Sequence, residues 1–151
     1  PVNVYVGETL KFRGHLAGVG RQIGVQVELS GVTPAVAARE EFVTLVKEIA
    51  MQVAAANPSY ASRDAVPADA LEKEKAIYRA QMENSGKPAN VIDKIVEGKL
   101  DKYYSTICLL DQPFVKQPEK TVKEILTEQI SKIGENIRVR RFTRYQLGEE
   151  L

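Results

Sequence analysis

The chain has one cysteine and one histidine in 151 residues. No stretch in it approaches 18 successive apolar residues, so no helical membrane span is expected. A lone Cys108 excludes an intramolecular disulfide framework and fits a reducing compartment. Its neighbours Ile107, Leu109 and Leu110 make it a buried, inert thiol. His15 has no second histidine and no nearby cysteine. That argues against a structural metal site, and against a Ser-His-Asp triad, whose base this residue would have to be. Charge of one sign is also lacking: 21 basic against 20 acidic residues leave a net +1, and bulk charge argues neither for nor against nucleic acid. The chain opens at Pro1 without an initiator methionine or a signal-like stretch, the expectation for a fragment of a longer protein.

What is present reads as one globular domain, with 44% hydrophobic and 27% charged residues. Val2 to Leu29 reads as β-structure: Val4, Val6, Leu10 and Phe12 alternate weakly, then Ile23, Val25, Val27 and Leu29 cleanly. Between them Gly14 to Arg21 is glycine-rich. It is not G-x-G-x-x-G, no helix follows and no Gly-Lys-Ser/Thr closes it, so it predicts a hairpin turn and no phosphate-binding cofactor site. After Ser30-Gly31-Val32-Thr33-Pro34 a helix runs to about Ala56, with the stripe Phe42, Leu45, Val46, Ile49 and Val53, and Asn57-Pro58 ends it. Helices near Ala68 to Asn84 and Ala89 to Ile107, joined by Ser85-Gly86-Lys87-Pro88, predict an antiparallel hairpin. Thr121 and Glu124 have the capping-box spacing, Val122, Ile125, Leu126, Ile130 and Ile133 the helical rhythm, and Gly134 the C-terminal stop. Asn136 to Tyr145 reads as a strand of β-branched and aromatic residues alternating with arginines.

The expected fold is therefore α+β: a small three-stranded antiparallel sheet packed with helices, and a projecting antiparallel helical hairpin, a coiled coil. Residues 1–66 and 108–151 would form the core and 67–107 the hairpin insertion. A projecting hairpin is also a handle for a partner or a second copy.

Several stretches carry a family likeness. Lys132-Ile133-Gly134-Glu135-Asn136-Ile137, followed by Arg140-Arg141-Phe142 and Tyr145-x-Leu147-Gly148-Glu149, resembles the C-terminal end of elongation factor Ts. Matches upstream include Leu110-x-Gln112-Pro113-Phe114-Val115, Ser85-Gly86-Lys87-Pro88, Ile95-Val96-Glu97-Gly98-Lys99, Ile49 to Ala55 and Ile23-Gly24-Val25-x-Val27-Glu28, in family order. The resemblance implies a core subdomain with its coiled-coil insertion. It also implies a nucleotide exchange factor that binds the GTPase elongation factor Tu, without catalytic residues, cofactor or metal of its own. A bacterial cytoplasm is the expected setting, a plastid or mitochondrion the alternative.

Two departures from the family are expected. The small N-terminal helical domain of the family has no counterpart within Pro1 to Leu151, and the family's Thr-Asp-Phe-Val wedge aligns with Thr33-Pro34-Ala35-Val36. Pro34 and Ala35 have neither the charge nor the bulk of the residues they replace. The family's Gly-Gly-Arg-Ile-Gly appears as Gly20-Arg21-Gln22-Ile23-Gly24. The candidate partner-binding residues are thus Thr33, Pro34, Ala35, Val36, Gly20, Arg21, Arg140 and Phe142, with exchange expected to be weak or to reside in another segment or second copy.

In an ideal strand Arg138, Arg140, Phe142 and Arg144 share one face, and Ile137, Val139, Arg141 and Tyr145 the other. Such a basic face could contact nucleic acid. Without an overall basic balance or an RNA-binding motif, arginines paired to Glu135, Glu149, Glu150 or a partner protein are the simpler expectation. The carboxylate pairs Glu40-Glu41, Glu72/Glu74 and Glu149-Glu150 lie in polar stretches and suggest no shared acid–base site. A ribosome- or RNA-associated module that kept the fold and lost exchange is the competing expectation.

Overall fold

Strand β3 of the computed structural model, which describes residues 3–5, 10–15, 23–82 and 86–148, is the centre of an α+β fold. In chain order the elements are β1 (Asn3–Tyr5), β2 (Leu10–His15), β3 (Ile23–Ser30), α1 (Pro34–Ala37), α2 (Glu40–Ala56), α3 (Ala68–Ala80) and α4 (Ala89–Ile107). After them come β4 (Pro113–Phe114), β5 (Gln117–Thr121), α5 (Val122–Ile133) and β6 (Arg138–Gln146). Val25, Val27 and Leu29 alternate along β3 and are buried in one core with the α2 stripe Phe42, Leu45, Val46, Ile49 and Val53. Val122, Ile125, Leu126 and Ile133 of α5 join that core, as does Ile137 just before β6. Each large apolar side chain buried this fully contributes about 1.5–3 kcal/mol.

The sheet has four strands among the described residues, in the order β1-β2-β3-β6, all neighbours antiparallel. Three were expected. The weakly alternating N-terminal stretch is two strands, with Val4 opposite Phe12, and Gly7 interrupts its sequence. A second two-stranded sheet, β4-β5, occupies residues where only a linker was expected. The glycine-rich turn Gly14 to Arg21 falls mostly outside the described residues, and Gly20 and Arg21 with it.

The helix predicted after Pro34 is two helices. Arg39 leaves helical space (ψ 139) between α1 and α2. In an unbroken helix Val36 and Ala37 would stand more than roughly 100° away from the Phe42 stripe. The break lets both enter the core. Asn57, in the left-handed conformation (φ 44), stops α2 where the sequence predicts. Helix α5 has the predicted ends: Thr121 Oγ1 accepts from the Glu124 N–H, the Glu124 carboxylate accepts from the Thr121 N–H, and Gly134 (φ 81) closes the C-terminus.

Helices α3 and α4 lie side by side. Lys99 sits over the Tyr78 ring and donates to Gln81 Oε1, and Arg79 pairs with Asp93. No residue of α3 is buried, and α4 buries only Val96 and Leu100.

Candidate functional site

Where β3 ends, the chain is tied to the connector between α5 and β6. Gly31 has φ +82, and a Cβ there would lie 2.0 Å from the Asn136 carbonyl oxygen. Only glycine permits both that backbone conformation and that approach. Two residues on, Thr33 donates its N–H to Glu135 Oε2 at 2.7 Å and its hydroxyl to Glu135 Oε1 at 2.6 Å. Those bonds hold the Glu135 carboxyl below its ordinary value, the Thr33 hydroxyl first and the N–H second. Glu135 is placed by Gly134, the left-handed C-cap of α5, and by the buried Ile137 that follows.

This pair of bonds presents α1. Pro34 and Ala35 are exposed at its tip, while Val36 (4% exposed) and Ala37 turn into the core. Of the four aligned residues, then, Pro34 and Ala35 face solvent, Thr33 is engaged with Glu135, and Val36 is packing. A groove of about 960 Å³ runs between α2 and α5, and Arg39, in the link that follows α1, is among the residues that line it. Leu45 and Ile133 line its floor, with Glu40, Glu41 and Lys132 among the charged residues around it. It has the make-up of a surface that another protein could cover: a small apolar floor with charges of both signs about it.

The arginines of β6 are arranged differently from an ideal strand. Glu28 pairs with Arg141 and Leu29 with Val139, so Arg140 is the extra residue of a β-bulge. The bulge brings Val139 and Phe142 to the same side, where both pack on the core. Ideal alternation had put them on opposite faces. It also lets neighbouring arginines reach one carboxylate: Arg140 Nη1 donates to Glu28 Oε1 at 3.1 Å and Arg141 Nε to Glu28 Oε2. Glu28 is 3% exposed, and two guanidinium partners offset its loss of water. Thus Arg140 is bound to Glu28, not to Glu135, and Phe142 is half-buried. Arg144 turns inward and donates to the Ala54 carbonyl, an orphan acceptor in the last turn of α2.

Sequence reading passed over two structural nodes. Gln52 and Gln112 are buried, and Gln52 Nε2 donates to Gln112 Oε1 (3.2 Å) and to the Pro113 carbonyl (3.1 Å). Gln52 Oε1 accepts from the Val115 N–H, and Gln112 Nε2 donates to the Ala56 and Thr106 carbonyls. The available signal was a glutamine between Ile49 and Val53 in an otherwise apolar and alanine-rich turn. At the foot of α4, Arg63 bonds Asp101 and Asp111 and lies 4.5 Å from the Tyr104 ring centroid. Beside it Cys108 is fully buried, and burial pushes its thiol up to about 11. Among the described residues no group of three His, Cys, Asp or Glu side chains is placed to hold a metal ion.

The family model described as "Elongation factor TS" matches residues 4–149. The chain is 54% identical over 132 residues to an "Elongation factor Ts" of Carboxydothermus hydrogenoformans, covering 87% of this chain and 61% of that protein. It is 58% identical over 130 residues to that of Caldanaerobacter subterraneus subsp. tengcongensis, covering 86% and 65%. With the Geobacter sulfurreducens protein of the same name it shares 52% over 138 residues, covering 91% and 64%. The chain thus spans a little over three fifths of the length of the curated relatives it matches.

Proposed function

The chain belongs to the elongation factor Ts family, and from that membership we propose that it binds elongation factor Tu and promotes GDP release during protein synthesis. An exchange factor accelerates release by binding the open state of the GTPase more tightly than the closed, nucleotide-bound state. It therefore needs a docking face and no bond-breaking residues of its own.

The observation that carries the reading is the latched α1 tip. Thr33 to Val36 align with the family wedge, and Pro34 and Ala35 stand exposed there, on the turn that Arg39 joins to the groove-lining helix α2. We assign that tip and groove as the face offered to the GTPase. With proline and alanine at the tip, contact supplies affinity while the push on the nucleotide site is weak. Arg140 is engaged with Glu28 and Phe142 is packed on the core, so the tip and groove carry the assignment without them.

Residues 1–66 and 108–151 form the core in this reading, and 67–107 a projecting coiled-coil insertion. The exposed Ile77 and Val91 of that hairpin support contact with a second copy or a second Ts-like domain. The bacterial origin of the relatives supports a cytoplasmic setting. The competing RNA-associated role gains nothing from the arginines, two of which are bound to Glu28. Titration into elongation factor Tu carrying fluorescent GDP tests the proposal. A saturable complex with modestly faster release is expected. Failure to form a complex at any accessible concentration would refute it.

A further inference from the structure

We infer that Glu135 is a positioning residue for partner docking: by gripping Thr33 through both its N–H and its hydroxyl, it holds the α1 tip in its binding shape before the partner arrives. This rests on the reading above that the tip faces the GTPase.

The reasoning starts from what α1 cannot do for itself. It has four residues, a single turn, and one helical turn is far too short to be stable alone. Thr33 is its N-cap residue, yet the Thr33 side chain makes no cap bond to α1. Its hydroxyl is turned away, to a carboxylate 102 residues further along the chain. The shape of the tip is therefore set from outside by three constraints. Gly31 lies against the Asn136 carbonyl, Thr33 is held on Glu135, and Val36 and Ala37 are anchored in the core. Of these only the Thr33–Glu135 contact is made by a polar side chain that lies outside the buried core, so it can be removed without opening a cavity there. Pro34 and Ala35 bring no charge and little bulk, so whatever they contribute to binding depends on being ordered beforehand.

The test uses the whole chain and elongation factor Tu bound to fluorescent GDP. Removing an interaction that orders a docking segment should weaken the complex about tenfold for Glu135→Ala and about threefold for Thr33→Val, which keeps the N–H bond. Thr33→Ser keeps both bonds and should bind like the wild type. Adding Thr33→Val to Glu135→Ala should weaken binding no further, because both remove the same latch. Amide hydrogen exchange at Thr33 reads the latch directly and should quicken in Glu135→Ala, while the thermal melt shows whether the fold is kept. Faster exchange with unchanged affinity overturns the positioning role and leaves the docking reading standing. Unchanged exchange overturns the latch itself. If the wild type forms no complex, the docking reading fails and this inference with it.

Discussion

Replacing Gly31 by alanine tests the tie between β3 and the α5–β6 connector. The added methyl would sit 2.0 Å from the Asn136 oxygen and 2.9 Å from its carbonyl carbon, where ordinary contact begins near 3.4 Å. The atoms it meets are backbone, so relief requires the connector to move by more than about 1 Å. That connector leads into the buried Ile137 and into Arg138, which pairs with Ser30. The left-handed backbone at φ +82 adds a further penalty of about 1 kcal/mol. Strain of both kinds together should destabilise the fold by about 3 kcal/mol. With a urea m-value of about 2 kcal/mol/M, the midpoint should fall by about 1.5 M. Two other glycines calibrate the measurement. Gly134 has φ +81 but open space around a Cβ, so alanine there should cost about 1 kcal/mol, the backbone part alone. Gly98 lies within α4, also with open space, and alanine there should stabilise by about 0.5–1 kcal/mol. The expected order of midpoints is Gly98→Ala above wild type, then Gly134→Ala, then Gly31→Ala. Equal losses at Gly31 and Gly134 would show that the close approach to Asn136 does not constrain the fold.

Gln112→Ala should destabilise by about 2–4 kcal/mol, because it removes a buried acceptor from Gln52, leaves the Ala56 and Thr106 carbonyls without that donor, and opens a cavity. A loss below about 1 kcal/mol in the same urea titration would mean that water substitutes for the amide. Cys108 should resist iodoacetamide at pH 8 in the native protein and react once urea unfolds it, since its thiol is fully buried and pushed up to about 11. Prompt native labelling would show that the foot of α4 opens readily. Glu124 is held below its ordinary value of 4.5 by the Thr121 N–H and then the Thr121 hydroxyl. Its capping contribution is therefore present above pH 4.5 and lost as pH falls through the lowered folded value. Below pH 4.5 the wild type should lose stability more steeply than Glu124→Gln, and superimposable pH profiles would contradict the capping role.

The sequence alone determined whatever depends on neighbours a few residues apart. The two ends of α5 follow from Thr121, Glu124 and Gly134, the stop of α2 from Asn57-Pro58, and the extent of α4 from Pro88 and its apolar rhythm. The family likeness was legible for a related reason: it consists of short contiguous stretches. Partners distant along the chain were decided only by the tertiary structure. A bulge at Arg140 exists because β6 must register against β3, and it redirected two arginines to Glu28 more than a hundred positions away. The same pairing put Val139 and Phe142 on one side, which no period-two reading allows. Arg39 breaks a helix because Val36 and Ala37 are needed in the core, a demand set by packing and not by local propensity. The grip of Glu135 on Thr33 is of this kind too: each residue is ordinary in its own stretch, and only the closing of β6 beside β3 brings them together.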